Sequence, residues 1–326
     1  MLENSILLVG LGTNKFKLNE IVETTDLDYI KNNFGADSCF FKASVLAEKF
    51  GQNHDLYILN LDTWEDIKYQ EEILLDLNFD YIVPLDLYID DSYYDRYYQK
   101  KLTYSQLILL LLHKTVTTMV LTGPHAKDYE NLDAFLNSET ERLNNVEYRF
   151  DNLRKNGMIY VANILTNYTY ANVILATMLA NTDYGEYPSS SILESPVFDI
   201  DYSDVSNRMV YFKSNYLTGT TVENLVNFDK NYITRLVPVY KIIKYFYFHR
   251  ADLDKFIGLA YTEYRKLKIQ EELFKFLDSL VGWIIYKYEL ISITVVSNEY
   301  GSVDILLKYN IWPKFTTEKY TIETSL

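Results

Sequence analysis

The stretch that decides the fold is Met158–Pro188, MIYVANILTNYTYANVILATMLANTDYGEYP. Met158, Ile159, Tyr160, Val161, Ala162, Ile164 and Leu165 form a short apolar run, the pattern of a strand covered on both faces. Asn167 is placed to cap a helix, because its side chain can accept a bond from a free N–H in the first turn. Tyr170, Val173, Ile174, Leu175, Met178 and Leu179 then leave that helix no wide polar face. Such a helix belongs inside a domain or between subunits. Asp183, Gly185 and Pro188 mark its end.

Before this unit, strand and helix patterns alternate. Ser5–Val9, Asp55–Leu61, Asp80–Pro84 and Thr117–Thr122 read as short strands. Asp26–Phe34, Phe40–Phe50, Trp64–Leu77, Thr103 to about His113 and Asp128–Leu143 read as helices, with Thr103 as a cap and Gly35 and Gly51 as stops. Asp86–Tyr98 is acidic and rich in tyrosine and reads as a surface excursion. The alternation predicts an α/β region over residues 1–187: a mostly parallel sheet flanked by helices.

The pattern changes after Pro188. Ser189–Ser191 and Asp199–Asp204 read as a connector, and Met209–Lys213 as a strand. Thr220 and Thr221 read as the start of a helix. Further helices are read from Tyr240 to Phe248 and from Leu267 to Tyr286, and three strands close the chain. Residues 188–326 therefore read as an α+β region packed with the first as one elaborated unit. In the last strand Tyr320, Ile322, Thr324 and Leu326 alternate with Thr321, Glu323 and Ser325, which puts the first four on one face. A terminal strand can pair with its own sheet or with a neighbour's edge. These four residues are the candidate subunit-linking positions.

Composition bounds the function. The 326 residues suffice for a sizeable core. The net charge of −14, with no basic patch, argues against nucleic-acid partners. The longest apolar run, Leu107–Leu112, is too short to span a bilayer. Cys39 is the one cysteine, so an internal disulfide is excluded. The 31 tyrosines suit surfaces buried between subunits, and equally fit a drift of composition in the source genome.

The search for chemistry turns up little. Gly10-Leu11-Gly12 follows the first strand as in a dinucleotide-binding loop, but Lys15 stands where the third glycine of that fingerprint belongs. A plain turn is the better reading. The histidines His54, His113, His125 and His249 show no metal-ligand spacing. Cys39 reads as a buried structural thiol. Asp86, Asp90, Asp91 and Asp95, and likewise Asp199, Asp201 and Asp204, read as solvated acidic loops rather than cation sites. No catalytic, cofactor or metal residues are assigned. The alternative is a nucleotide-binding α/β enzyme using the Gly10 loop.

Several pieces, in order, resemble the tail sheath proteins of contractile phage tails and related injection particles. They are SILLVGLGT from Ser5, NFG at Asn33–Gly35, SVLAEKFG at Ser44–Gly51, DYIVPLD at Asp80–Asp86 and TTMVLTGPHAKDYENLDAFLN at Thr117–Asn137. VILATMLANTDYGEYPSSS from Val173, VYFKSN from Val210, TGTTVENLVNFD from Thr218 and IWPKFTTEKYTIETSL from Ile311 continue the series. The resemblance implies a virion structural protein made in the host bacterial cytoplasm. It implies self-association into hexameric rings stacked as a helical sheath around an inner tail tube protein, with baseplate and tail terminator proteins as further partners. It implies no enzyme activity and no cofactor. Only Met1–Asn4 precede the first strand, where many sheath subunits carry a linking arm, and the chain is short for the family. A sheath-like subunit at a baseplate or tail end is the variant of this reading.

Overall fold

A computed structural model describes residues 4–96, 99–112, 118–123, 132–147, 157–162, 170–182, 188–190, 192, 209–215, 219–223, 225, 233–256, 262–282, 284–296, 302–311 and 317–324. The chain divides into two compact units, Met1–Ile233 and Thr234–Leu326.

The first unit opens with β1 (Ser5–Leu11), β2 (Ile21–Glu23), α1 (Leu27–Phe34) and α2 (Cys39–Phe50). Asp26 caps α1 by accepting from the N–H groups of Asp28 and Tyr29, and Ser38 caps α2 by accepting from Phe41. Next come β3 (Asp55–Leu61), a 3-10 segment (Trp64–Gln70), α3 (Glu71–Leu77) and β4 (Tyr81–Pro84). The hairpin β5 (Ser92–Asp95) and β6 (Lys100–Thr103) leads to α4 (Tyr104–Leu111). The Thr103 cap is a reciprocal box. Its hydroxyl accepts from Gln106 N–H at 3.1 Å, and the Gln106 side chain accepts from Thr103 N–H at 2.8 Å. Then follow β7 (Met119–Thr122), α5 (Leu132–Glu147), β8 (Met158–Val161), α6 (Ala171–Ala180), β9 (Ser189–Ser190), β10 (Met209–Asn215) and β11 (Gly219–Glu223).

These strands make one nine-stranded sheet in the order β2-β3-β1-β4-β7-β8-β10-β11-β9. The six central strands, β3 through β10 in that order, are parallel; β2 pairs antiparallel with β3 at one end, and at the other β11 pairs antiparallel with β10 and β9 antiparallel with β11. The predicted parallel α/β architecture is therefore present, with chain order reversing between β3-β1 and β4. Alternate residues serve opposite faces. Leu7 and Val9 join Tyr57, Leu59, Val120, Met158 and Tyr160 in a core with Ile67, Leu74, Phe79, Ile108 and Phe135. The opposite face carries α2 and α6, which pack on each other and on the sheet. All ten residues of α6 are buried, as its lack of a polar face requires.

Several expectations change. The division expected at 187/188 falls inside the first unit, because β10 pairs parallel with β8 and carries β11 and β9 with it. Thr220 and Thr221 do not start a helix. They lie in β11, where β-branched residues suit a pleated ladder opposite Lys213 and Ser214. Ser189–Ser190 is a two-residue edge strand rather than a connector. The Asp86–Tyr98 excursion contributes Leu87, Ile89 and Tyr93 to the buried side chains. Asn167, His113, His125, Asp183, Gly185 and the Asp199–Asp204 run lie outside the described residues.

The second unit comprises α7 (Ile233–Asp254), α8 (Glu263–Leu280), β12 (Ile285–Val296), β13 (Ser302–Ile311) and β14 (Thr317–Thr324). α7 begins seven residues before the expected Tyr240 and carries Pro238 inside it. α8 buries Leu273, Leu277 and Leu280. It stops at Leu280, short of the expected Tyr286: Gly282 turns the chain with φ of 83°, where a side chain would be strained, and Ile285 already starts β12. The three closing strands form an antiparallel sheet in the order β12-β13-β14.

The α6 packing makes a stability prediction. Leu175→Ala should lower the unfolding free energy by about 2–5 kcal/mol, whereas Tyr69→Ala, at a side chain 82% exposed, should change it by about 0.5 kcal/mol or less. Urea unfolding of the two variants reads the difference.

Candidate functional site

In an open parallel sheet, ligands enter at the carboxyl ends of strands where the chain order reverses. Here that place lies between β1 and β4, where Leu85 N–H donates to the Val9 carbonyl at 2.7 Å, and side-chain hydrogen bonds tie down the strand ends on either side of it. Gly12 N–H donates to Asn60 Oδ1 at 2.7 Å. The Asn60 side-chain amide donates to the carbonyls of Asn14 and Phe16 at 3.1 and 2.9 Å, and the Asn60 main-chain carbonyl accepts from Asn19 N–H at 2.8 Å. The Gly10–Gly12 turn is thus tied to the end of β3, and a Cβ on Gly12 would stand 2.6 Å from Asn60 Oδ1. A dinucleotide loop leads directly into a helix whose N-terminus faces the pyrophosphate. This turn leads instead to β2, and the next helix, α1, starts at Leu27. Gly10 serves packing: a Cβ there would meet Cys39 Sγ at 3.1 Å and the Phe40 ring at 3.4 Å.

Across the reversal, α6 closes the crevice from above. Asn172 donates to the carbonyls of Pro84 at 3.1 Å and Leu121 at 3.3 Å. The β4–β7 ladder pairs only Tyr81 with Met119 and Ile82 with Val120, so this amide joins the two strands where their own pairing ends. Tyr170 at the start of α6 donates to Asp86 Oδ1 at 2.8 Å. Burial, helped by the Asp86 carboxylate, holds the Tyr170 phenol well above its ordinary range. Burial in the first place, then Asp86, pushes the Cys39 thiol up to about 12. A thiol so placed is a packing group, since the thiolate is the reactive form.

Among the acidic residues of the excursion Asp95 is buried and Asp90 and Asp91 are half-buried and paired, which corrects the solvated-loop reading for these three, while Asp86 is exposed. Asp95 is buried and accepts from Tyr93 OH at 3.0 Å, with Lys68 at 3.8 Å. Asp90 accepts from Arg142 of α5 at 2.7 Å, and the guanidinium lies 4.0 Å from the Tyr88 ring centre. Asp91 accepts from Tyr88 N–H at 2.7 Å. No group of three or more His, Cys, Asp or Glu side chains able to hold a metal occurs among the described residues.

The candidate linking positions lie on β14. Tyr320 pairs with Leu307, Ile322 with Ile305 and Thr324 with Val303 of β13; Leu326 lies outside the described residues. The strand is thus an edge of its own three-stranded sheet. Sequence reasoning missed Asn60 and Asn172. Each is one asparagine whose role depends on strand ends distant in sequence, and local pattern carries no signal for that.

Two outcomes follow for the closed crevice. Asn172→Ala should destabilise the protein by about 2–3 kcal/mol, because two strand-end carbonyls lose a buried donor; chemical denaturation measures it. The raised Cys39 pKa makes the folded state hold its proton where the unfolded chain, near the ordinary value of 9.0, has lost it. Its contribution to stability is full below about pH 9 and is lost as pH rises toward about 12. Melting curves across that window should fall less steeply for Cys39→Ala than for the parent.

No protein-family profile and no curated protein sequence matches this chain. Solved structures do. A chain of the anti-feeding prophage baseplate in the contracted state superposes with a TM-score of 0.63 at 10% identity, covering 99% of this chain and 93% of that one. The sheath tail protein of Desulfitobacterium hafniense gives 0.62 at 10% identity, covering 99% and 97%. The sheath tail protein of Listeria innocua gives 0.59 at 10% identity, covering 99% and 95%. The fold of this chain, nearly end to end, is the fold of contractile-tail sheath proteins.

Proposed function

We propose that this chain is a structural subunit of a contractile tail sheath. It assembles as a helical array of hexameric rings around an inner tail tube protein, within a virion tail that also holds baseplate and terminator proteins. The observation that carries this reading is the likeness over 98–99% of the chain to sheath structures, one of them an anti-feeding prophage helical sheath in the contracted state. Two features of the chain support a role without catalysis. The strand ends on either side of the crevice that α/β enzymes of this topology use are bonded to the chain itself, by Asn60 at β1 and β3 and by Asn172 and Tyr170 beyond β4. The glycine turn beside it donates its N–H to the protein itself.

Contraction in this reading moves subunits largely as rigid bodies between two packings. A nine-stranded sheet with α6 buried beside it suits that task, because close-packed interiors transmit displacement instead of absorbing it. The array widens and shortens and drives the tube through a cell envelope, with the free energy coming from better contacts in the contracted lattice. The second reading is a sheath-like subunit at the baseplate, favoured by the likeness to a chain of the contracted anti-feeding prophage baseplate.

In this reading, the C-terminal segment ties subunits together through Tyr320, Ile322 and Thr324 of β14 and through Leu326. The purified protein should form rings or tubes visible by negative-stain microscopy. Removing residues 319–326 should lower the melting temperature, because six residues of β14 lose their pairing with β13, and should abolish those assemblies while the first unit stays folded by circular dichroism. A protein that stays monomeric at high concentration and melts higher with NAD or ATP would overturn the sheath reading. A truncated chain that still assembles would remove β14 from the linking role.

A further inference from the structure

Most of the large apolar side chains that this fold leaves in water stand singly, as on any protein surface. Two pairs among the described residues do not. Tyr69 at 82% and Ile73 at 36% exposure lie four apart where the 3-10 segment runs into α3. Tyr264 at 69% and Leu267 at 56% lie three apart in the first two turns of α8. Residues three or four apart share a helical face, so each pair makes one apolar spot.

The two spots are set in opposite charge. Glu65, Glu72 and Asp76 fall at helical spacing around Tyr69 and Ile73, and all three carboxylates are exposed. Lys68, the cation within this stretch, is turned to the hairpin instead, 3.8 Å from Asp95 and 4.2 Å from the Tyr93 ring centre. Around Tyr264 and Leu267, Arg265, Lys266 and Lys268 outnumber Glu263 and Glu271. Lys266 reaches Glu263 at 3.8 Å and Lys268 reaches Glu271 at 2.6 Å, pairs on the helix surface that are worth little in water. Arg265 stands in the first turn of α8, where the helix dipole favours anions, and Asp76 in the last turn of α3, where it favours cations. Each charge is misplaced for its own helix and well placed for a partner of opposite sign.

The first half of α8 also has no inner face of its own. The buried residues of this helix, Leu273, Leu277 and Leu280, all belong to its second half, and none of Glu263–Glu272 is buried. The Thr262 hydroxyl caps this half by accepting from Arg265 N–H at 3.2 Å. Helical turns without a buried face gain little stability beyond such a cap, and a second surface laid on Tyr264 and Leu267 supplies the missing contact.

We propose that the acidic Tyr69–Ile73 face of one copy of the chain docks on the basic Tyr264–Leu267 face of the next. The proposal rests on the assembly reading and names the surfaces that carry it. The apolar side chains form the centre of the contact and the carboxylates and cations its rim. Because the two faces differ, each copy keeps one of each for a further neighbour, so the contact propagates into a ring or a helix instead of stopping at a dimer. Two short helical faces make a small interface, weak alone and made firm by repetition along an array.

Charge reversal tests it. One variant carries Glu72→Lys with Asp76→Lys, the other Lys266→Glu with Lys268→Glu, and circular dichroism checks that both stay folded. Each alone should associate about tenfold more weakly than the parent in sedimentation, since like charges then face each other. An equal mixture should recover, because the altered face of one variant meets the altered face of the other. In a second readout, Tyr69→Cys mixed with Leu267→Cys should give a disulfide-linked heterodimer on mild oxidation, while Tyr94→Cys, also at an exposed site, mixed with Leu267→Cys should not. The native Cys39 is buried and does not compete. Reversed variants that associate as the parent does, a mixture that stays apart, or no link between positions 69 and 267 overturns the docking. Tubes formed equally well by both reversed variants do so too and leave the sheath reading standing. A heterodimer from a protein that never forms rings or tubes supports the docking and counts against the sheath reading. A parent that stays monomeric and yields no heterodimer overturns the docking and leaves both faces to a different partner.

Discussion

Helix α6 cannot face water on any side, and much of the first unit is the solution to that constraint. An apolar cylinder needs a sheet beneath it and another helix on it. β1, β4, β7 and β8 supply the first and α2 the second. Placing α6 over those strands sets Asn172 above their carboxyl ends and Tyr170 above Asp86. Its far end presents Asn181 to the loop before β3. One element of ten residues thereby fastens three separate parts of the unit through its two ends, while its middle contributes packing alone. Thr177, buried with its hydroxyl unpartnered among the described residues, is the exception in that middle.

The strand ends show what this chain does with a reversal of strand order. A reversal of strand order produces a crevice by geometry, whatever the chain does for a living. Enzymes line that crevice with glycine backbone and a helix N-terminus and leave it open. Here an asparagine from β3 and an asparagine from α6 bond the strand ends on either side of it to the chain itself. The same fold-level opportunity is turned into rigidity. Fold alone does not decide function.

Legibility followed the range of the interactions. The fully apolar α6, the short strands β1, β4, β7 and β8, and the Thr103 cap all depend on residues within one turn or one pleat, and each was visible in local pattern. β11 was misread because Thr at the start of an apolar run fits a helix cap and a strand alike; only its pairing with β10 decides. The acidic excursion was misread because charge predicts solvent exposure, whereas Asp95 and Asp90 find Tyr93 and Arg142. The helix over residues 263–280 was placed well along its buried Leu273, Leu277 and Leu280, and missed at its end, where one glycine outweighs continuing apolar residues.

The edges of the two sheets differ in a way that bears on how many neighbours one copy can hold. The large sheet ends in strands of three and two residues, β2 and β9, too short to template another chain. The small sheet ends in β12, of twelve residues, and β14, of eight. Strand addition, where it occurs, therefore has two usable sides per molecule among the described residues. A building block with a functionality of two gives linear or closed chains and never a branched gel. That valence limits growth by this route to one dimension, so any lateral order in an assembly must come from side-chain contacts that can be remade without breaking the chain.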